Sequence, residues 1–267
     1  MQFKQIAEVA RARWGLHLTD AKATLVQNRL TKHVIRSPFD SVNDYVEHLN
    51  GSPTEEDLLL FFDILSTNTT SFYREMHHFT HLERVVFPRL AATKQRKLRV
   101  WSAACSTGAE PYTLAIHLLE QMPDAAQWDF RILATDLSKS SIDAAKAAEY
   151  PGKMLEEQSK QLVQRYFTRT GRGEDAIYKV GEKARSMVSV HELNLMGDWP
   201  MKGPFDIIFL RNVMIYFDLE IRTRLVTRMR EMLTPDGLLF IGSAETLSGM
   251  NVGLRAVIPS VYAKEGA

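Results

Sequence analysis

The chain has 267 residues, of which 45% are hydrophobic and 24% are charged. This balance is that of an ordinary globular protein, and it excludes a largely disordered chain. The 33 basic and 32 acidic residues give a formal net charge of +1, whereas a dedicated duplex-binding protein would need a larger basic excess to neutralise phosphates. The composition therefore predicts no nucleic-acid partner.

Cysteine content and hydropathy indicate a cytoplasmic protein. Cys105 is the single cysteine, so an intramolecular disulfide cannot form. No apolar run is long enough to cross a bilayer, and the amphipathic first segment lacks the apolar core of a signal peptide. We therefore expect no direct insertion into a membrane.

The first third of the chain has the hydrophobic spacing of α-helices. One helix is predicted over residues 20–36, and Thr54 followed by Asp57 resembles the capping box of another. This spacing predicts an N-terminal helical domain over residues 1–90, with a linker to about residue 97.

From residue 98 onward, short β-rich runs alternate with helical runs. This alternation predicts an α/β domain over residues 98–267 with a mostly parallel, doubly wound sheet. Residues 257–265 could add an antiparallel edge strand. Strand candidates cover residues 98–103, 131–136, 187–193, 205–210 and 238–243.

One stretch interrupts the alternation. Two β-rich runs flank a loop that contains Gly171 and Gly173, which predicts a β-hairpin. We expect a small inserted β-subdomain over about residues 165–190, and decoration of the fold is an equally acceptable interpretation of the spacing.

The ends of the predicted strands favour a nucleoside ligand without phosphates. The loop after the first strand has one glycine, Gly108, which would allow close backbone approach but lacks the glycine spacing of a dinucleotide site. Asp136 ends the second strand, where an acid commonly binds ribose, although a helix cap is the alternative. S-adenosylmethionine is the common ligand of this kind. Polar contacts could come from Asn194-Leu195 and Arg211-Asn212, and the alternative interpretation of either pair is ordinary turn residues.

No metal is expected. His77 and His81 stand four residues apart, a spacing that can hold a metal on a helix, but no nearby cysteine completes a site. We interpret them as core or surface histidines, and Cys105 as a small packing residue.

Six motifs occur in a fixed order along the chain: Asn68–Phe79, Cys105–Gly108, Ala134–Asp136, Phe205–Phe209, Arg211–Asp218 and Gly242–Thr246. Taken together they resemble the CheR-type chemotaxis receptor (MCP) glutamate O-methyltransferases. The resemblance spans nearly the whole chain and implies a Rossmann-like class I methyltransferase domain behind an all-helical domain. Two departures are Ala104, where the family often has glycine, and Ala109, where it often has glutamate.

The resemblance implies transfer of a methyl group from S-adenosyl-L-methionine to glutamate side chains of methyl-accepting chemotaxis receptors. The products would be glutamate methyl esters and S-adenosyl-L-homocysteine, made by a monomeric enzyme. The cofactor contacts that carry over from the family are Asn68, Thr70, Arg74, Glu110, Asp136, Asn194, Leu195, Arg211 and Asn212.

Such a reaction requires no general base, because a glutamate with a pKa of about 4.3 is already a carboxylate at neutral pH. Arg74 is expected to clamp a carboxylate and Tyr216 to aim its hydroxyl at the reacting oxygen. The alternatives are a salt bridge between the domains for Arg74 and a half-buried aromatic for Tyr216.

Two features could bind the receptor. Basic residues on the second helix, which include Arg29, Lys32 and Arg36, could attract an acidic receptor helix, although most basic faces are merely solvated. In some members of the resembled family, a C-terminal receptor peptide adds a strand to the β-subdomain, and Gly171 and Gly173 would allow the tight loop that such docking uses. Other members work without such a peptide.

Two other functions compete with receptor methylation. The first is a methyltransferase with a different substrate, although Arg211-Asn212-Val213-Met214 disfavours an enzyme that methylates amino groups of bases. The second is a catalytically silent adaptor that binds the cofactor or its product and a receptor.

Overall fold

The computed structural model describes residues 2–66, 69–92, 96–122 and 124–266. The chain begins with four helices that pack on one another. The Thr54 hydroxyl accepts from the Asp57 amide, and the Asp57 carboxylate accepts from the Thr54 amide, which confirms the predicted capping box. The helices are α1 (Gln2–Trp14), α2 (Ala23–Val34), α3 (Val42–Asn50) and α4 (Glu55–Leu65).

A longer helical segment follows, made of α5 (Met76–His81), a π-helical stretch (Leu82–Val86) and α6 (Phe87–Ala91). Its buried side chains, among them Phe79 and Phe87, share a core with the strands and not with the first four helices. The domain boundary at residue 90 stays a prediction, and this packing favours an earlier one.

The remaining described elements alternate between strands and helices. The strands are β1 (Lys97–Ala103), β2 (Asp129–Asp136), β3 (Glu149–Pro151), β4 (Phe167–Thr170), β5 (Ile177–Val180), β6 (Val188–Glu192), β7 (Phe205–Leu210), β8 (Leu233–Ile241), β9 (Leu254–Ile258) and β10 (Val261–Lys264). The helices are α7 (Ala109–Gln121), α8 (Lys139–Ala147), α9 (Lys160–Tyr166), α10 (Glu182–Arg185) and α11 (Leu219–Met232).

The large sheet has the order β6-β2-β1-β7-β8-β10-β9. The pairs from β6 to β8 are parallel, and β10 and β9 are antiparallel. The predicted mostly parallel sheet with an antiparallel edge is therefore confirmed. Strand order reverses between β1 and β7, and ligands of such sheets bind at the carboxyl ends of the strands near this point.

Alternate side chains of each central strand enter different cores, as the period of two in a strand requires. Val100 and Phe209 pack with α7 and with the segment 76–91. Trp101 and Ile208 pack on the other face with α11 and with the helical domain. The helical domain therefore shares a core with the sheet at the edge where a ligand would bind.

The inserted β-subdomain is a separate antiparallel sheet with the order β3-β5-β4. The predicted hairpin is confirmed as β4 and β5, whereas β3 lies before the predicted range and the residues of β6 belong to the large sheet. Helix α8 ends at Ala147, because Ala148 has a φ of 54° and leads directly into β3.

None of the helices in the described parts of the chain combines the length and the apolar character that crossing a membrane requires.

Candidate cofactor and active site

A cleft opens between the helical domain and the carboxyl ends of the central strands. Its volume is about 1340 Å³, which includes the open space at its mouth. Apolar side chains such as Trp14, Phe62 and Leu137 form its walls. Nine residues from the sequence-based site predictions line it: Thr70, Arg74, Glu110, Asp136, Asn194, Leu195, Arg211, Asn212 and Tyr216. Asn68, which was predicted with them, lies outside the described residues.

The loop after β1 brings Ala104, Cys105 and Ser106 to the cleft. Gly108 has a different role from the predicted one, since it faces the protein interior. A Cβ at Gly108 would lie 2.9 Å from the Ala145 Cβ and 2.9 Å from the Tyr150 hydroxyl, and the residue has a φ of +90°. The glycine is therefore needed for packing against α8 and Tyr150, and not for approach to a ligand.

Asp136 ends β2 and holds the loop after β1 in place. Its Oδ2 accepts from the Ser106 amide at 2.7 Å, and its Oδ1 accepts from the Ser138 amide at 3.0 Å. Burial raises the pKa of this carboxyl, and the backbone donors oppose the shift. A carboxylate can accept about four hydrogen bonds, and the amides of Ser106, Ser138 and Leu137 leave capacity for a ribose hydroxyl.

Arg211, at the end of β7, joins two carboxylates at the floor of the cleft. Its Nη1 lies 3.0 Å from Glu110 Oε2 and its Nη2 lies 3.2 Å from Glu75 Oε2. Burial raises the pKa of Glu110, despite Arg211 and a 2.6 Å hydrogen bond from the Ser102 hydroxyl. Burial also acts to raise the pKa of Glu75, but Arg211 and the Ser243 amide lower it overall.

Arg74 lies between the two domains and is half-buried at the cleft. Its Nη1 donates to the Thr69 carbonyl at 3.1 Å, and its own carbonyl accepts from Arg211. No carboxylate within the described ranges pairs with Arg74, so the salt-bridge alternative is not found there. The guanidinium therefore lines the cleft without an ion-pair partner among the residues that the structure describes.

Tyr216 lines the cleft in contact with the helical domain. Its backbone carbonyl accepts from the His17 amide at 2.6 Å, and the neighbouring Phe217 forms a β-bridge with Leu16. The Lys22 ammonium lies 5.0 Å from the centre of the Tyr216 ring. Residues before α2 thus fix the backbone beside the predicted catalytic tyrosine.

Comparison with known proteins accords with this geometry. The protein-family model described as "CheR methyltransferase, SAM binding domain" matches residues 68–261. A second family model, described as "CheR methyltransferase, all-alpha domain", matches residues 1–63. The chain belongs to the CheR methyltransferase family. It is a methyltransferase whose cofactor is S-adenosylmethionine.

Curated relatives cover nearly the whole chain. Chemotaxis protein methyltransferase 2 of Pseudomonas aeruginosa is 38% identical over 97% of this chain and 91% of its own length. The probable chemotaxis protein methyltransferase of Rhizobium etli is 37% identical over 88% of both chains. The chemotaxis protein methyltransferase of Escherichia coli is 33% identical over 98% of this chain and 90% of its own length.

The residues of this CheR-family cleft fit the cofactor. The apolar walls suit the adenine ring and Asp136 suits the ribose. Glu110 beside Arg211, with Arg74 nearby, offers both signs of charge to the ammonium and carboxylate of the methionine part. Asn194 stabilises its own turn by accepting from the Met196 amide at 2.9 Å.

The predicted receptor-binding residues are not among those that line the cleft. Arg29 is turned inward, because its Nη1 donates to the carbonyls of Leu65 at 2.8 Å and Ser66 at 2.7 Å at the end of α4. Lys32 and Arg36 are exposed. Gly171 and Gly173, with φ values of 82° and 67°, are both exposed in the loop of the β-subdomain.

One group of possible metal ligands occurs in the described parts of the chain, formed by Glu75, His77 and His78. It differs from the His77–His81 spacing noted in the sequence. Glu75 is already paired with Arg211, and both histidines lie within hydrogen-bonding distance of the Ser260 hydroxyl. The group is therefore explained as a polar network between α5 and the end of β9.

Three residues in or beside the site were not assigned a role from the sequence. Glu75 follows Arg74 directly and Glu245 lies in the Gly242–Thr246 motif, so the family resemblance contained a signal for both. Lys22 carried no such signal, because its place beside Tyr216 depends on the packing of the two domains.

Proposed function

We propose that this methyltransferase acts on glutamate side chains of methyl-accepting chemotaxis receptors, as a monomer in the cytoplasm. The names of the relatives support chemotaxis as the process. The two long motifs Asn68–Phe79 and Arg211–Asp218 support glutamate as the acceptor, because they resemble the glutamate O-methyltransferases.

One observation carries the proposal. Arg74, Asp136 and Tyr216 come from three separate segments and line one cleft. An adaptor without catalytic activity would need the cofactor site, but it would have no use for an arginine and a tyrosine at its mouth. The arrangement therefore favours an enzyme whose substrate carries a carboxylate.

The chemistry is a displacement at a methyl group. S-adenosylmethionine supplies the methyl, which leaves the sulfonium sulfur as a new bond forms to a carboxylate oxygen, giving a neutral ester and S-adenosylhomocysteine. A glutamate has a pKa of about 4.3, so no proton has to be removed at neutral pH. The protein has to align the reacting groups and exclude water, and such positioning can contribute roughly 7 to 11 kcal/mol.

Each side chain has a proposed part in this alignment. Arg74 binds a carboxylate, of the substrate or of the methionine part, through its planar fork. Tyr216 directs its hydroxyl at the reacting oxygen, and Phe62 helps to keep water from the cleft. The proposed cofactor contacts are Asn68, Thr70, Arg74, Glu110, Asp136, Asn194, Leu195, Arg211 and Asn212.

Receptor binding is proposed at two surfaces. Lys32 and Arg36 are exposed on and just after α2, where they can attract an acidic receptor helix. β4 is an edge strand with three exposed residues, so an extended receptor tail could pair with it beside Gly171 and Gly173. Arg29 contributes to the α2 surface indirectly, because its hydrogen bonds hold the end of α4 in place.

The test is incubation with methyl-labelled S-adenosylmethionine and receptor-containing membranes, followed by mild alkali. A glutamate ester releases the label as methanol, whereas a methylated nitrogen keeps it. Incorporation of label that resists alkali would show a different substrate class. Absence of any incorporation, with intact binding of S-adenosylhomocysteine, would show a silent adaptor.

A further inference from the structure

Glu245 is a half-buried acid in the Gly242–Thr246 motif that follows β8. It does not line the cleft, and the proposed function gives it no role. Its side chain nevertheless reaches across to the segment after β7, which carries Asn212 and Tyr216.

Backbone amides from two separate segments donate to this one carboxylate. Oε2 accepts from Gly242 at 2.7 Å and from Asn212 at 3.0 Å, and Oε1 accepts from Ile215 at 3.3 Å. Hydrogen bonds to an ionised acceptor are about twice as strong as those between neutral groups. Glu245 therefore fixes both ends of the turn between Asn212 and Tyr216.

The turn needs such a restraint, because Asn212 has a φ of 59°. Asparagine tolerates the left-handed region better than most residues do, but the conformation still costs free energy that its surroundings must offset. A Cβ on Gly242 would lie 2.6 Å from the Asn212 Nδ2 and 2.9 Å from Glu245 Oε2. Gly242 thus leaves room for the Asn212 side chain beside the acid.

The same segment is held from its other side. The Glu75 carboxylate accepts from the Ser243 amide at 3.1 Å and pairs with Arg211, the residue before Asn212. The acids Glu75 and Glu245 therefore connect the ends of β7 and β8, and the position of Asn212 depends on both.

We propose that Glu245 is a positioning residue for cofactor binding and methyl transfer. It touches neither reactant, and it acts through the turn that presents the Asn212 side chain and the Tyr216 hydroxyl to the cleft. The part of the inference that concerns Tyr216 rests on the proposed function. The part that concerns Asn212 rests on cofactor binding alone, so the two parts can be tested separately.

The experiment is a pair of double-mutant cycles with Glu245→Gln, which keeps the shape of the side chain but turns an amide group toward backbone donors. The first cycle combines it with Asn212→Ala and measures the Kd of S-adenosylhomocysteine by calorimetry. The second combines it with Tyr216→Phe and measures kcat for receptor methylation. Glu231→Gln, at an exposed acid of α11, is the matched control.

We expect Glu245→Gln to raise the Kd and lower kcat, each by about tenfold. In the Asn212→Ala background the effect on Kd should shrink to less than about threefold, and in the Tyr216→Phe background the effect on kcat should shrink likewise. A merely structural role would lower stability equally in all backgrounds and leave the effects additive. Additive effects in both cycles would overturn the proposal.

A second variant covers the case in which Glu245→Gln does not fold. Gly242→Ala would press on Asn212 and should raise the Kd as well, whereas Gly197→Ala, whose nearest contact would be an ordinary 3.6 Å, should not. Equal Kd values for Gly242→Ala and wild type would contradict the proposal. If the wild type binds S-adenosylhomocysteine but methylates no receptor, the proposed function fails, and the Kd cycle alone then decides the role of Glu245.

Discussion

Arg211 and Glu110 form a buried ion pair in which Nη1 lies 3.0 Å from Oε2. Only 3% of the arginine side chain and 12% of the glutamate side chain are exposed. Glu75 and the Ser102 hydroxyl supply the further hydrogen bonds that a buried pair requires. The floor of the cleft is therefore held by paired charges, and removal of Arg211 would leave Glu110 and Glu75 without their shared counter-charge.

Arg74→Ala should abolish most methyl transfer. The guanidinium lies at the cleft without a carboxylate partner in the described ranges, so its removal deletes a contact to a ligand and leaves the protein core intact. We expect kcat/KM to fall by about 100-fold or more. Transfer is measured with labelled cofactor, and thermal unfolding checks the fold.

Arg84→Ala is the control for Arg74, because Arg84 is exposed in the π-helical stretch and away from the cleft. Wild-type transfer by a folded Arg74→Ala variant would remove Arg74 from the catalytic assignment.

Lys32→Glu together with Arg36→Glu should weaken receptor methylation, and more so at low salt. Exposed charges act over roughly 10 Å at 0.1 M ionic strength and much less at higher salt. We expect about a tenfold loss of kcat/KM at low ionic strength and a smaller loss at 0.5 M salt. Arg29 is unsuitable for this test, because its reversal would also disturb the end of α4.

The control for this pair is Lys139→Glu with Lys146→Glu, two exposed lysines of α8. A loss that is equal at every ionic strength, or equal in the control, would argue against steering by the α2 surface.

Gly171→Val with Gly173→Val should abolish binding of a receptor-tail peptide. Both glycines have positive φ values, and a β-branched residue is strongly disfavoured there. The distorted loop would then misplace the exposed edge of β4. Peptide titration by calorimetry measures the effect, and Gly249→Val, at a φ of 79° in another loop, is the control. No binding to the wild type at high micromolar peptide would contradict tail docking.

Gly108→Ala should destabilise the protein by about 2 to 4 kcal/mol. The methyl group would meet Ala145 and Tyr150 at 2.9 Å, and φ is +90°. Gly173→Ala is the matched control: its φ is also positive, but nothing lies within 4 Å of the added Cβ, so it should lose only about 1 kcal/mol. Urea denaturation compares the two, and equal losses would show that the packing against α8 is loose.

His78→Gln should make the stability of the protein less sensitive to acid. Burial, with Arg211 and His77 nearby, lowers the pKa of His78 from 6.5 to about 3, although Glu75 acts in the opposite direction. Between these pH values the unfolded chain binds a proton at this histidine that the folded chain does not. The free energy of unfolding therefore falls by up to about 1.4 kcal/mol per pH unit as the pH decreases below 6.5. Replacement of His78 removes this contribution to the pH dependence.

The measurement is the free energy of unfolding in urea at several pH values between 7.5 and 5. The buried His81 and His117 also have lowered pKa values, so some acid sensitivity should remain. His191→Gln, at an exposed histidine of β6, is the control. An unchanged slope in His78→Gln would show that His78 takes up its proton in the folded protein.

The architecture could be predicted wherever the hydrophobic period was regular. The strands that end at Ala103, Asp136 and Leu210 are mostly buried and rich in apolar residues, and their order along the chain placed their carboxyl ends at one edge. β3 was not predicted, because Ala148 ends α8 in a left-handed conformation without the glycine or asparagine that usually signals such an end.

The cleft was predictable residue by residue where side chains project from strand ends, as for Asp136 and Arg211. The sequence did not predict the roles of residues whose partners come from a distant segment of the chain. Arg29 was interpreted as a surface charge because its partners are backbone carbonyls, which leave no trace in the sequence. Gly108 was assigned to the ligand side, because only the packed position of Tyr150 shows which way it faces.

The β-bridge between Leu16 and Phe217 restricts how domains can be recombined in this family. The hydrogen bond from His17 to the Tyr216 carbonyl belongs to the same pairing. A chimaera that takes its helical domain from one enzyme and its sheet from another would separate the two halves of this junction. Exchange of receptor preference by domain grafting would therefore require residues 14–18 and 214–218 to be transplanted as a matched set.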